Sequence, residues 1–242
     1  MNYWSIRNRV LGMISGRRVL HRTSSAFNKD IAILQCGNER RLMIDGETHS
    51  INAPARRRSE ARREYWGFLA AVPFRLPPNP AVLMLGLGGG TALHLLSEDL
   101  APSEIVVVEA DPEIVRVARE YFDIDALGGV TIRTGDALGT MRGLIGEGRT
   151  FDLLIDDVYF TTTSASGPGD GGLFDAVRRL VRRGGTAVFN RPLDGRRPHP
   201  EHEAFAAELR SLGHEAILVR VRRRWWNDII YCRISEGHGT QG

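Results

Sequence analysis

The stretch Val82-Leu83-Met84-Leu85-Gly86-Leu87-Gly88-Gly89-Gly90-Thr91 decides how this chain is read. Its apolar head is short and uninterrupted, which suits a strand buried on both faces. The glycines behind it let the backbone turn tightly and come close to a ligand. Helical spacing over 91–99 predicts a helix directly after the turn, so unpaired N–H groups of its first residues face the same place. By itself the turn is a weak signal, because a tight turn with no ligand would look alike.

Working outward toward the C-terminus, the strand–helix unit recurs. Ile105-Val106-Val107-Val108 precedes a helix over 112–121, and Val130-Thr131-Ile132-Arg133 precedes a weaker one over 137–145. Phe151 to Ile155 leads into a glycine-rich loop and a helix near 171–182, followed by Thr186-Ala187-Val188-Phe189. A helix over 200–212 and two strands, 215–221 and 228–234, close the pattern. Continuous apolar strands alternating with helices indicate an α/β fold, a doubly wound Rossmann-like parallel sheet covered on both faces. The last two strands, close enough for a hairpin, give it an antiparallel end. This domain is expected over residues 80–236.

Toward the N-terminus, Pro73, Pro77, Pro78 and Pro80 punctuate a linker. Residues 59–72 carry helical spacing, with Tyr65, Trp66, Leu69 and Val72 on one side. Residues 17–53 read as a small antiparallel piece built from Val19–Thr23, Ile31–Leu34 and Arg41–Ile44, with turn chemistry at Gly37-Asn38 and Asp45-Gly46. Residues 1–73 are thus expected to form a small β-hairpin region plus a helix.

Acids stand at three successive strand ends. Glu109 ends the second strand, where a carboxylate can accept hydrogen bonds from both ribose hydroxyls. Asp136, in Gly135-Asp136-Ala137, ends the third and can reach an adenine amino group. Asp156-Asp157 ends the fourth. Ligands of open parallel sheets bind at these carboxyl ends. NAD and S-adenosylmethionine both fit a glycine turn with an acid at 109. Thr91 at the sixth loop position, in place of the Gly or Ala of the dinucleotide fingerprint, and the acids at 136 and 157 favour S-adenosylmethionine. Asp111 is expected to cap the helix that begins at Pro112.

Composition sets outer limits. Hydrophobic residues at 42% and charged residues at 25% suit a globular chain with a real core. No apolar run is long enough to cross a bilayer, and no secretory signal stands at the start, so a cytoplasmic protein without membrane contact is expected. Cys36 and Cys232 form no CxxC pair and read as reduced thiols. Lys29 is the one lysine; arginine supplies the remaining basic charge. The arginine clusters at 56–58, 62–63, 178–183 and 220–224 lack the interleaved aromatics of nucleic-acid folds, so nucleic acid is not the expected partner. The histidines show no metal-ligand spacing, and no metal is assigned.

Here the sequence resembles the spermidine synthase-like aminopropyltransferases, a branch of the class I methyltransferase fold. The resemblance runs over about residues 18–190. It rests on Val108-Glu109-Ala110-Asp111-Pro112-Glu113-Ile114-Val115 with Ala118-Arg119-Glu120-Tyr121-Phe122, on Leu42-Met43-Ile44-Asp45-Gly46, and on Glu64-Tyr65-Trp66 through Val72-Pro73. The resemblance implies S-adenosylmethionine or its decarboxylated form as cofactor. It places Glu109 on ribose, Asp136 on adenine, Tyr65 on the substrate side and Asp157 at the transferring centre. The cofactor seat is expected at Gly86, Gly88, Gly89, Gly90, Glu109, Ala110, Asp136, Ala137 and His49. Asp157 is the best general base, with Tyr65, Tyr159 and His49 as assistants. A small-molecule acceptor is expected, and the family's habit leaves a homodimer open.

Departures from the family pattern are informative. The loop aspartate of GGGDGG is Gly89 here, and the second acid of D-S/T-S/T-D is Phe160. A tyrosine–histidine–glutamate run is Tyr65-Trp66-Gly67, and a glutamine is His49. Burying a diamine dication demands carboxylates, and this chain has lost several. Loss of the loop acid also removes a charge that would repel the carboxylate of ordinary S-adenosylmethionine. Methyl transfer to a small, flat or apolar acceptor is therefore the leading reading, with Trp66, Tyr159 and Phe160 around it. Aminopropyl transfer and a catalytically silent homologue stay open. So do a lid or a plain connector for residues 161–172, an anion-holding role for Arg191, Arg196 and Arg197, and a dimer contact or a core cover for Trp225-Trp226.

Overall fold

The computed structural model describes residues 17–52, 58–158, 172–193 and 197–235. An antiparallel meander comes first: β1 (Arg17–Thr23), β2 (Ile31–Cys36), β3 (Glu39–Ile44) and β4 (Glu47–Asn52), in that spatial order. The turn from β3 to β4 puts Asp45 and Gly46 at positive φ, 48° and 89°, the backbone a two-residue hairpin requires. β4 is the strand that sequence patterning missed. Its first half, Glu-Thr-His, is polar; only Ser50, Ile51 and Asn52 are buried.

The expected helix over 59–72 is instead two short helices, α1 (Ser59–Arg63) and α2 (Tyr65–Ala70), separated by extended backbone at Glu64 (ψ 177°). The break lets α2 fold back on α1. A Cβ on Gly67 would stand 2.0 Å from the Arg62 carbonyl oxygen, so that approach is open to glycine alone. The turn buries Trp66 and Leu69.

The larger sheet follows, in the chain order β5 (Ala81–Leu85), α3 (Thr91–Leu100), β6 (Glu104–Glu109), α4 (Pro112–Phe122), β7 (Val130–Thr134), α5 (Ala137–Gly146), β8 (Phe151–Asp156), α6 (Leu173–Leu180), β9 (Val181–Pro192), α7 (Pro200–Ser211), β10 (Glu215–Arg222) and β11 (Trp226–Arg233). Its strand order is β10-β11-β9-β8-β5-β6-β7. β5 to β9 run parallel, and β11 lies antiparallel between β9 and β10. The helix near 171–182 ends earlier than its pattern suggested. From Val181 the chain is already extended, pairing with Phe151, because Val181 is drawn into the sheet's core.

Both sheet faces are covered, as continuous apolar strands require. Val82, Met84, Val107 and Ile155 join one cluster with α3, α4, α2 and the inner residues of the meander, Ile31, Ile33, Leu42 and Ile51. Leu83, Leu85, Val106 and Leu154 join the other, beneath α5, α6 and α7. The meander therefore shares a core with the large sheet. Trp225 packs edge-on against Trp66, ring centroids 5.0 Å apart, and closes one border of that core. Among the described residues no helix is long and apolar enough to cross a membrane. Cys232 is a buried free thiol, and burial pushes its pKa up to about 12.

Candidate active site

β5 lies where the order of connections reverses: from β5 the chain winds outward to β6 and β7, then returns to β8 on the opposite side. The loops leaving β5 and β8 diverge there, which opens a crevice at the strands' carboxyl ends. Gly86, the first residue of the turn, sits at φ 90°. A Cβ there would stand 2.6 Å from the Asp157 carbonyl oxygen. Glycine thus allows the ends of β5 and β8 to close on each other, and the Asp157 N–H donates to the Leu85 carbonyl at 2.9 Å.

The meander grips this turn from outside. The Gly89 N–H donates to Ser50 Oγ at 2.7 Å. The Ile51 N–H donates to Thr91 Oγ1 at 2.8 Å, and that hydroxyl donates back to the Ile51 carbonyl at 2.9 Å. Thr91, read from sequence as a departure from the dinucleotide fingerprint, is the clasp between the two sheets.

A cleft of about 350 Å³ opens at this point. Nine of the residues expected from sequence line it: Gly86, Gly88, Glu109, Ala110, Asp136, Ala137, His49, Tyr65 and Asp157. Gly89 and Gly90 are absent from the lining. Gly89 faces Ser50 and the Phe122 ring, and Gly90, at φ 75°, is packed on Ile124 and precedes α3. They shape the turn from behind. Tyr159, like Phe160, Arg196 and most of the loop 161–172, lies outside the described residues.

Each acid is held differently. Glu109 accepts the Leu87 N–H through Oε2 and the Asp111 N–H through Oε1, both at 3.0 Å. Each oxygen keeps a lone pair for a further donor. Asp136 caps α5, taking the Gly139 N–H on Oδ2 at 2.6 Å, and its exposed side chain borders the cleft. Asp111 caps α4 through Glu113, with Pro112 at the first helical position, as expected. It does more than cap: Oδ2 also accepts Asn28 Nδ2 at 2.7 Å and the Ser25 hydroxyl at 2.5 Å. This nearly fully buried carboxylate pins the β1–β2 loop, so that Phe27 and Asn28 become part of the cleft wall. Sequence reading offered no signal for that.

Asp156 and Asp157 are separated by the pleat. Asp156 is fully buried and paired with Arg191, Nη1 to Oδ2 at 2.9 Å. Arg191 also donates to the Asn190 carbonyl and lies over the Phe189 ring. The arginine considered for an anionic acceptor is therefore engaged inside the protein. Asp157 faces the cleft and accepts Asn190 Nδ2 on Oδ1 at 2.7 Å. Burial pushes its pKa up to about 7; the Asn190 donor and Arg191 oppose that rise, while Asp156 and Glu109 add to it. Such a carboxyl sits near the point where it can take or give a proton at neutral pH. Burial likewise holds His49 below the usual imidazole range, against the pull of Glu47 and Asp45. Asn190 was not foreseen. A polar residue closing the apolar run Thr-Ala-Val-Phe was the available signal.

The fold is that of the class I methyltransferases, carrying an extra N-terminal meander. Within that class the chain is spermidine synthase-like in sequence and fold. It is 30% identical over 91 residues to the polyamine aminopropyltransferase of Vibrio vulnificus, a match covering 38% of this chain and 30% of that relative's length. A probable spermidine synthase from Corynebacterium glutamicum superposes with a TM-score of 0.68 at 20% identity, covering 93% of this chain and 84% of that one. Human methyltransferase-like protein 13, in complex with SAH, gives a TM-score of 0.52 at 21% identity, covering 75% and 83%. No family model matches the sequence.

Proposed function

We propose that this protein is a transferase that binds S-adenosylmethionine or its decarboxylated form and passes a carbon group to a small acceptor. One observation carries the reading: the carboxylates of Glu109, Asp136 and Asp157 border a single cleft with the glycine turn at the switch point of the sheet. The donor set suits an adenosyl sulfonium. Glu109 would accept from the ribose hydroxyls and Asp136 from the adenine amino group, while Asp157 adds negative charge for the cation at the other end. The cofactor, when bound, supplies the activated carbon.

The chain's own residues do the rest. Tyr65 and Trp66 line the same cleft and would border the acceptor. Asp157 would accept the proton that the attacking atom loses as the carbon–sulfur bond of the cofactor breaks and the thioether leaves.

Methyl transfer is the finer reading. The loop position where related sequences carry an acid is Gly89, packed against Ser50 and Phe122, and Gly67 is packed against the Arg62 carbonyl, so neither place has room for a carboxylate directed at a diamine. The second reading, aminopropyl transfer, is favoured by the curated relatives, most of which are named spermidine synthases. Calorimetric titration with both cofactor forms, followed by mass analysis of products with putrescine as acceptor, separates the two. Tighter binding of the ordinary form and no aminopropylated product support methyl transfer. The opposite pair of results supports the second reading, and absence of binding by either form removes both.

A further inference from the structure

β11 reaches the reactive end of the cleft from behind. Asn227 lies on it, 4% exposed, and its Nδ2 donates to Asn190 Oδ1 at 2.9 Å. Asn190, 5% exposed, donates in turn to Asp157. Among the described residues, Asn227 Oδ1 is buried with no hydrogen-bond partner.

A carboxylate can only accept hydrogen bonds, whereas an asparagine amide has a donor end and an acceptor end. Asn190 must turn its NH₂ toward Asp157 while that group is ionised, and its carbonyl then needs a buried donor. Asn227 supplies it. The neighbour facing Asn227 across β9 is Pro192, which has no N–H to offer in its place. An apolar residue at 227 would spare the fold an unpaired buried carbonyl, yet the chain keeps the amide.

We propose that Asn227 is a positioning residue for the transfer site: it fixes the orientation of the Asn190 amide, which holds a donor on Asp157 and aims the carboxylate's other oxygen into the cleft. The inference rests on the reading of Asp157 as the proton acceptor. In its absence the Asn190 amide is free to rotate and present its carbonyl, which only a protonated Asp157 can meet.

The test is a carboxyl ¹³C NMR titration of protein labelled at aspartate, with the Asp157 signal assigned by its loss in Asp157→Asn. Asn190→Leu should raise the Asp157 midpoint by about half a pH unit or more. Asn227→Leu should raise it in the same direction, and the double variant should go no further than Asn190→Leu alone. The other charges facing Asp157, those of Asp156, Arg191 and Glu109, are unchanged in these variants. An unmoved midpoint in Asn227→Leu, or shifts that add, would overturn the proposal. If Asn227→Leu does not fold, Asn227→Ala carries the same comparison. Calorimetry with S-adenosylhomocysteine on the unaltered protein tests the transferase reading separately, because the midpoints can be read whether or not that ligand binds.

Discussion

Ser50 Oγ accepts the Gly89 N–H at 2.7 Å, and the Ser50 Cβ stands 2.8 Å from the point a Cβ on residue 89 would occupy. The hairpin strand β4 has closed over the loop position at which the resemblance to spermidine synthases implies an aspartate. On the other side the Phe122 ring stands 3.0 Å away. Gly89 is therefore a packing requirement as well as a missing charge.

It follows that an acid placed at position 89 should not be accommodated as a diamine-binding group. Gly89→Asp is expected to destabilise the protein by about 1–3 kcal/mol through overpacking. Gly89→Ala, which adds only the Cβ, should cost somewhat less. Urea denaturation with matched m-values checks both. Unchanged stability in Gly89→Asp would show that β4 yields easily and that the charge argument stands alone.

Thr91 ties α3 to β4 through both of its hydroxyl's hydrogen bonds. Thr91→Val keeps the shape but orphans the buried Ile51 N–H, which should cost about 1–3 kcal/mol. Because the clasp joins the meander to the glycine turn, amide exchange should also quicken in residues 47–52. Thr91→Ser, which keeps the hydroxyl, should retain most of the stability.

Asp111 should prove more than a helix cap. A lost cap alone costs about 0.5–2 kcal/mol. Asp111→Ala additionally releases Ser25 and Asn28. Hydrogen exchange should therefore rise over residues 24–28 as well as in the first turn of α4. Exchange confined to α4 would mean the loop is held by something else.

Asp157 carries the pH dependence. Its folded pKa, near 7, is above the ordinary value of 3.8, so the stability linked to it is fully present below about pH 4 and is lost as pH rises through 7. Asp157→Asn removes that loss. It should stabilise the protein by on the order of 1–3 kcal/mol at pH 8, with no gain at pH 4. Thermal melts across pH 4–8 give the comparison. Turnover that needs the carboxylate should rise with pH through 7 in the unaltered protein and vanish in the variant.

The local chemistry of this chain could be read from its residues. Uninterrupted apolar runs such as Val82–Leu85 and Ile105–Val108 announce strands buried on two faces, because period-two alternation disappears when neither face meets water. Pro112 behind Asp111 marks a helix start for steric and hydrogen-bonding reasons that act within a few residues. Acids at strand ends could be located for the same reason, and a parallel sheet brings its strand ends together wherever the rest of the chain goes. What the tertiary structure alone decided were matters of distance between segments far apart in sequence. Ser25 and Asn28 meet Asp111, Ser50 meets Gly89, and Asn227 reaches Asp157 through Asn190. Asp157 was singled out over Asp156 by the sequence resemblance, but the reason lies in the fold: the pleat sends Asp156 inward to Arg191 and leaves Asp157 on the cleft. A side chain's partner depends on which strand lies beside its own, and strand order is set by the packing of the whole core.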